Sequence, residues 1–149
     1  MAPRKPTGSF DLENSLSHLL RRAQQFAYEQ FVQQMGTSSL TPRQFIVLFA
    51  VNEEEGLSQT DLVNRTGIDR STLADIVARL LSRGLIQRRR AKDDGRAYAI
   101  KLSVQGAKAL RDVQPGATTA DMRLLASLPP AKRQDFLDSL NLIVDAEDE

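Results

Sequence analysis

Residues 58–84 read SQTDLVNRTGIDRSTLADIVARLLSRG, and this stretch decides the fold. Ser58 and Asp61 have the spacing of a helix-capping box, and Asp69 is placed to cap a second helix. Gly67 provides the stop between the two helices. Apolar residues of the second helix recur at helical spacing, at Leu73, Ile76, Val77, Leu80 and Leu81. Two short capped helices joined by a turn that contains glycine predict a helix-turn-helix.

The second of these helices has a polar side that is small near its start and basic along its length. Its residues are Arg70, Ser71, Thr72, Asp75, Arg79, Ser82 and Arg83. Such a face suits a helix that enters the major groove of DNA. An ordinary solvent-exposed face is the alternative at this point.

A hairpin is predicted directly after the helix-turn-helix. Leu85–Arg90 has the pattern of a strand, and Lys92–Gly95 contains the Asp-Gly pair that favours tight turns. Apolar and other residues then alternate, with Tyr98, Ile100 and Leu102 on one side. A basic hairpin in this position is a wing, and Lys92 and Arg96 near its tip can reach phosphates or the minor groove of duplex DNA.

Positive charge is concentrated in this middle part of the chain. The whole protein has a net charge of +1, but ten Lys and Arg residues lie between Arg65 and Lys101 against four acids. Arg89 and Arg90 extend the basic surface along the first strand of the hairpin. Because neutralising phosphates requires local positive charge, this distribution favours a polyanion-facing surface, although a solvated charged face is the alternative.

The flanking segments are amphipathic and helical. The first helix is expected from a cap at Ser9 to about Gln34, and Thr41-Pro42 begins a second helix that should be buried in the centre. After Ser103 the helical pattern resumes, and we expect a kink or break near Pro115-Gly116 because an interior proline costs about 3 kcal/mol. A final helix begins near Pro129-Pro130. The first and last segments carry wide apolar stripes, which predict packing against a second copy of the chain.

Composition excludes several classes of function. The 149 residues suit one domain, and the absence of cysteine excludes thiolate metal sites, disulfides and a nucleophilic Cys. The single His18 excludes a multi-His metal centre within one chain. The sequence contains neither paired carboxylates in an apolar setting nor a glycine-rich phosphate loop. We therefore expect that the protein is not an enzyme and that it binds no cofactor and no metal. Without an apolar span or signal segment, the protein is expected to be cytoplasmic, with residues 1–8 as a mobile arm.

The order of these elements closely resembles the MarR family of bacterial transcription regulators. The sharpest match is Asp94-Gly-Arg-Ala-Tyr-Ala-Ile-Lys-Leu-Ser103, which is similar to the family's wing signature. Leu40–Phe45, Leu57–Leu62, Leu80–Ile86 and Ser103–Gly106 also match. The resemblance implies a mainly α fold with a small two-stranded β-wing. Residues 9–149 would form a single domain, with a winged helix-turn-helix lobe at 38–103 and dimerisation helices at 9–36 and 104–147.

The resemblance also implies how the residues meet DNA. A homodimer would bind a pseudo-palindromic operator, a DNA site with two inverted halves. Arg96 would enter the minor groove, held in position by Asp94. Ser71, Thr72 and Arg79 would lie on the recognition helix. The start of the preceding helix would bond phosphates through Ser58, Gln59 and Thr60.

A small-molecule effector is implied as well. In the family many effectors are aromatic carboxylates, and some are aromatic acyl-CoA thioesters. The first helix of this chain presents His18, Arg21 and Arg22 beside Phe26, which suits an anionic aromatic ligand. Surface or dimer-interface roles for these residues remain the alternative. The competing function is a winged-helix protein-interaction protein, or an architectural DNA-binding protein, that has no small-molecule effector.

Overall fold

The computed structural model describes residues 8–36, 40–90 and 98–148. In these ranges the chain forms six α-helices and one two-stranded antiparallel sheet. The helices are α1 (Leu16–Met35), α2 (Pro42–Glu53), α3 (Gln59–Thr66), α4 (Arg70–Ser82), α5 (Val104–Ala126) and α6 (Pro130–Asp145). The strands are β1 (Ile86–Arg90) and β2 (Tyr98–Leu102), and short 3-10 turns occupy Leu12–Asn14 and Ala146–Asp148. This is the mainly helical fold with a β-hairpin that the sequence predicts.

Local capping explains why α2, α3 and α4 begin where the sequence predicts. At the start of α2, the Thr41 hydroxyl accepts from the Gln44 amide at 3.2 Å, and the Gln44 side-chain oxygen accepts from the Thr41 amide at 3.1 Å. Pro42 occupies the first helical position, where its missing N–H costs nothing. Gly67 ends α3 with φ of 69°, a left-handed conformation that favours glycine.

The core of the central region is formed where α2 packs against α3, α4 and β2. The fully buried side chains are Val47, Leu48, Val51, Leu62, Leu73, Val77, Leu80 and Ile100. Each buried leucine of this kind contributes about 1.5–3 kcal/mol relative to an exposed one. The structure places α2 at the centre of this core as the sequence predicts, although Ile46 within its apolar run remains 45% exposed.

Two backbone junctions tie the hairpin to its neighbours. Ile100 donates to the carbonyl of Leu57 at 2.9 Å and accepts from the amide of Gly56 at 3.2 Å, so the segment before α3 pairs with β2. At the start of α5, a Cβ added to Gly106 would lie only 1.9 Å from the carbonyl oxygen of Leu85. The close approach of helix and backbone at this point therefore requires glycine.

The structure tests two expectations about the long helices. The first helix begins at Leu16 instead of after Ser9, because Ser15 is extended and the preceding residues form a 3-10 turn, closed by the Ser15 amide on the Leu12 carbonyl at 3.2 Å. Of the two outcomes expected near Pro115-Gly116, a kink or a break, the break does not occur, and α5 continues through the proline to Ala126. A proline removes one hydrogen bond, and burial of Leu110, Val113, Ala117 and Ala120 on either side of it offsets that loss.

The chain divides into two compact units. One comprises Met1–Gln34 with Thr119–Glu149, and the other comprises Met35–Thr118. The second unit contains α2, α3, α4, the hairpin and the first part of α5. The first contains α1, the end of α5 and α6.

Candidate nucleic-acid interface

The start of α3 is organised by Ser58 and Asp61. The Ser58 amide donates to Asp61 Oδ2 at 2.8 Å, and the Asp61 amide donates to Ser58 Oγ at 3.1 Å. The Ser58 hydroxyl also donates its hydrogen to Asp61 Oδ2 at 2.8 Å. The bond from the Ser58 amide, followed by that from the Ser58 hydroxyl, lowers the pKa of Asp61. Since the hydroxyl hydrogen of Ser58 is already donated, Gln59 and Thr60 are the donors that this helix start offers to a phosphate.

The starts of α3 and α4 are joined by a hydrogen bond between two predicted DNA-binding residues. Arg70 Nη1 donates to Thr60 Oγ1 at 3.2 Å, and both residues are exposed. Because Thr60 accepts from Arg70, its own hydrogen remains available to donate outward. The structure thus brings together the two helices of the predicted helix-turn-helix at the side chains expected to face DNA.

Asp69 organises the start of α4. Its Oδ1 accepts from the Thr72 amide at 2.9 Å and from the Ser71 hydroxyl at 3.1 Å, and its Oδ2 accepts from the Thr72 hydroxyl at 2.7 Å. The bonds from Thr72, followed by that from Ser71, lower the pKa of Asp69 from 3.8 to about 2. Asp69 is therefore a carboxylate at neutral pH and acts only as an acceptor.

The exposed face of α4 is bordered by arginine on both sides. At 3.6 residues per turn, Arg70 and Arg79 point about 180° apart around the helix axis, and Ser71 and Asp75 lie at angles between them. All four are exposed, whereas Leu73, Ile76, Val77 and Leu80 are buried in the core. The exposed Ala74 and Ala78 lie on the same side, so the predicted recognition face is a strip of small and polar residues flanked by cations.

The hairpin separates two of the predicted DNA-binding arginines. Arg89 is paired with Ala99 and Arg90 with Tyr98, so the two arginines lie on opposite faces. The guanidinium carbon of Arg88 lies 5.0 Å from the centre of the Tyr98 ring, on the face that carries Arg90. The predicted wing-tip residues lie outside the described residues; they are Lys92, Asp94 and Arg96.

One cation of the basic stretch is already neutralised. Arg65 forms ion pairs with Glu53 and, at 3.3 Å, with Glu54, which link the end of α3 to the end of α2. The sequence predicts Arg65 as part of the basic surface because it lies within the basic stretch. The sequence does not predict this pairing, because the two glutamates are eleven and twelve residues away from Arg65.

The predicted ligand residues share one side of α1. His18, Arg22 and Phe26 follow one another at intervals of four residues, so their side chains lie in one row, with Arg21 beside it. His18 is half-buried, both arginines are exposed and Phe26 is 41% exposed. Over the described ranges, no group of three or more His, Asp or Glu side chains could hold a metal ion.

Sequence comparison gives the family. The MarR family model matches residues 38–97, which contain the helix-turn-helix and part of the hairpin. The HTH-type transcriptional repressor NicR of Pseudomonas putida is 31% identical over 139 residues, covering 93% of this chain and 88% of that protein. The chain belongs to the MarR family.

Solved structures of MarR proteins agree with this membership. The PcaV transcriptional regulator of Streptomyces coelicolor, in complex with its natural ligand, is 33% identical, with a TM-score of 0.84 over 95% of this chain and 99% of that one. Bordetella bronchiseptica BpsR, whose DNA binding is regulated by 6-hydroxynicotinic acid, is 29% identical, with a TM-score of 0.85 over 93% of this chain and 99% of that one.

Several expectations from the sequence are thereby confirmed. The chain has the winged-helix MarR fold and is a DNA-binding regulator of transcription, not an enzyme. Within the described ranges, no helix has the length and apolar character needed to cross a membrane. The sequence predicts Asp69 as a helix cap only and does not predict that its carboxylate also accepts from the hydroxyls of Ser71 and Thr72. The spacing of Asp69 from Ser71 and Thr72, two and three residues, was the available signal.

Proposed function

We propose that this MarR protein is a repressor that binds a pseudo-palindromic operator as a homodimer and leaves it when a small anionic aromatic compound, or its CoA thioester, binds. The observation that carries the proposal is the exposed strip of α4, with Ser71 between Arg70 and Arg79. Cations on both flanks of a helix can neutralise phosphates on the two strands that border a major groove. The small polar residues between them are then close to base edges.

In this proposal the remaining contacts position the helix. Gln59 and Thr60 at the start of α3 donate to phosphate, and Ser58 holds that helix start in shape. In the hairpin, Arg89 contacts phosphate, whereas Arg90 on the other face adds positive charge without a direct phosphate contact. At the wing tip, Lys92 contacts phosphate and Arg96 enters the minor groove with Asp94 orienting it. Phosphate contacts fix the register, whereas the side chains of α4 read sequence.

Exposed apolar residues of the unit that contains α1 and α6 support the homodimer. They are Leu16, Leu19, Phe26, Val32, Phe136, Leu137, Ile143 and Val144. Apolar surface of this extent on one chain marks an interaction site. We propose that residues 9–36 and 104–147 form the dimer, leaving 38–103 as the DNA-binding lobe. Sedimentation is expected to give a dimer at micromolar concentration, and a monomer that still binds operator tightly would contradict this.

The proposed effector site is the row formed by His18, Arg22 and Phe26, with Arg21 beside it. Cations next to an aromatic side chain suit the carboxylate and ring of an aromatic acid. Regulation of BpsR by 6-hydroxynicotinic acid, an aromatic carboxylic acid, supports this ligand class for a similar protein. A ligand releases DNA only if it prefers the form that cannot bind, and a hundredfold loss of DNA affinity requires about 2.7 kcal/mol of coupling.

The test is a titration of the operator complex with 6-hydroxynicotinic acid, related aromatic acids and their CoA thioesters. The operator is first recovered by binding genomic fragments and footprinting the retained DNA. Arg22→Ala is expected to weaken release by ligand while DNA binding stays unchanged. Arg96→Ala serves as the reciprocal control, since it should weaken DNA binding and leave ligand binding intact. If ligand releases DNA equally well from wild type and Arg22→Ala, the proposed effector site is wrong.

A further inference from the structure

The recognition helix begins with two hydroxyl groups whose hydrogens are both already in use. Ser71 Oγ donates to Asp69 Oδ1 at 3.1 Å, and Thr72 Oγ1 donates to Asp69 Oδ2 at 2.7 Å. A hydroxyl carries one hydrogen and two lone pairs, and a carboxylate carries only lone pairs. As long as Asp69 holds both hydrogens, these three side chains present only acceptors to a ligand.

Acceptors of this kind select among the groups of the major groove. The hydrogen-bond donors there are the N6 amino group of adenine and the N4 amino group of cytosine. Guanine O6 and N7, adenine N7 and thymine O4 are acceptors, as are phosphate oxygens. A hydroxyl that can only accept therefore pairs with adenine or cytosine and leaves guanine or thymine unsatisfied.

We propose, on the basis of the DNA-binding role proposed above, that Asp69 determines base preference by holding the hydroxyl hydrogens of Ser71 and Thr72. Asp69 is thus a positioning residue, because it acts through the two hydroxyls. At the base positions that they contact, the strand facing α4 carries adenine or cytosine. The preference is for an amino group over a keto group.

The charge pattern around Asp69 agrees with base contact at this point. The free N–H groups at a helix start usually attract phosphate, but here the Thr72 amide is bonded to Asp69 at 2.9 Å. The exposed carboxylate also repels phosphate. The cations of the helix stand at the flanks, at Arg70 and Arg79, where phosphates are expected.

Asp69→Asn separates this role from helix capping. Asparagine is as good a cap as aspartate, and its oxygen can still accept from the Thr72 amide. Its amide nitrogen cannot accept from a hydroxyl, so at least one hydroxyl hydrogen becomes free to donate, and the new amide adds donors. The variant therefore keeps the helix, but side chains at its start that only accept hydrogen bonds in wild type can now also donate them. Asp112→Asn, at an exposed position of α5, is the matched control for the change in charge.

The experiment is selection from a pool of random duplexes by wild type, Asp69→Asn and Asp112→Asn, followed by sequencing. Wild type and Asp112→Asn should enrich the same inverted-repeat motif, with adenine or cytosine preferred about tenfold over guanine or thymine at one or two positions of each half. In the Asp69→Asn motif these positions should shift toward guanine or thymine. A change of base preference, unlike a change of affinity, is not produced by loss of helix stability.

A second measurement uses wild type alone and does not depend on the folding of a variant. The selected duplex is made with base analogues that lack the exocyclic amino group at those positions, and binding should fall about tenfold. Unchanged binding to these duplexes, or the same base preference in folded Asp69→Asn as in wild type, would overturn the role of Asp69 while the regulator proposal stands. If wild type enriches no motif at all, the proposed operator recognition fails, and this inference fails with it.

Discussion

Arg89 and Arg90 are neighbours in the chain, yet they lie on opposite faces of the hairpin, where Arg89 is paired with Ala99 and Arg90 with Tyr98. The face of Arg90 continues into Ile86 and Ile100, which are buried. The opposite face has no buried side chain among the described strand residues. The two side chains therefore leave the hairpin on opposite sides.

We expect unequal effects when these two arginines are neutralised. Arg89 shares its face with Lys101, so we predict that it makes a phosphate contact and that Arg89→Gln lowers the slope of log affinity against log salt by about one unit. Arg90→Gln, the matched change on the other face, should leave the slope within error of wild type. Operator titrations at several salt concentrations measure both. Equal slopes for the two variants would contradict the assignment.

Predictions for the wing tip come from the sequence. Arg96→Ala should weaken operator binding strongly without loss of fold, because its guanidinium is expected in the electronegative minor groove. Asp94→Ala should weaken binding nearly as much, since the freed arginine keeps its charge but loses its orientation. Lys92→Ala, as a phosphate contact, should affect all sequences alike. If neither Arg96→Ala nor Asp94→Ala changes affinity at near-physiological salt, the wing mechanism is wrong.

Gly106 should be among the positions least tolerant of substitution. In Gly106→Ala the new Cβ would lie 1.9 Å from the Leu85 carbonyl oxygen, a backbone atom that also accepts from the Ser103 amide. Relief requires the chain to move, so we expect the free energy of unfolding to fall by about 2 kcal/mol or more. Val104→Ala, at a position 87% exposed in the same turn, is the control and should change it little. Denaturant titration decides, and equal stability of the two variants would contradict the close approach.

A fourth prediction concerns pH and Asp121 on α5. Desolvation raises the pKa of Asp121 above 3.8, so the folded chain holds a proton there more tightly than the unfolded chain does. The charged carboxylate therefore lowers stability once the pH is above its folded pKa, and this cost is absent well below 3.8, where both states are protonated. Asp121→Asn should raise the melting temperature at pH 7, and the gain should vanish in acid. A gain of the same size at both pH values, or the same behaviour in Asp112→Asn, would contradict this explanation.

Local signals explain how much of the fold could be predicted from the sequence. The starts of α2, α3 and α4 depend on capping side chains within three residues, so Thr41, Ser58 and Asp69 were identified correctly. The continuity of α5 through Pro115 depends on burial at both sides of the proline, which the local pattern does not show. The start of α1 was misplaced for a related reason, because polar side chains near Ser15 bond locally in place of extending the helix.

The candidate site shows the same division. The residues of the recognition helix follow from helical periodicity and a cap. The ion pairs of Arg65 with Glu53 and Glu54 do not, because partners eleven and twelve residues away meet only once α2 and α3 have packed. The direction of the hydrogen bonds at Asp69 likewise required atomic positions.

Competition binding tests the central claim, sequence-specific recognition of duplex DNA by α4 and the wing, most directly. Wild type first binds the labelled duplex recovered by selection at near-physiological salt. The labelled duplex is then displaced either by the same duplex without label or by an unlabelled scrambled duplex of equal composition. The account predicts a preference of at least about a thousandfold for the selected sequence. Equal displacement by the two competitors would contradict it and would favour a winged-helix protein that binds DNA without reading sequence.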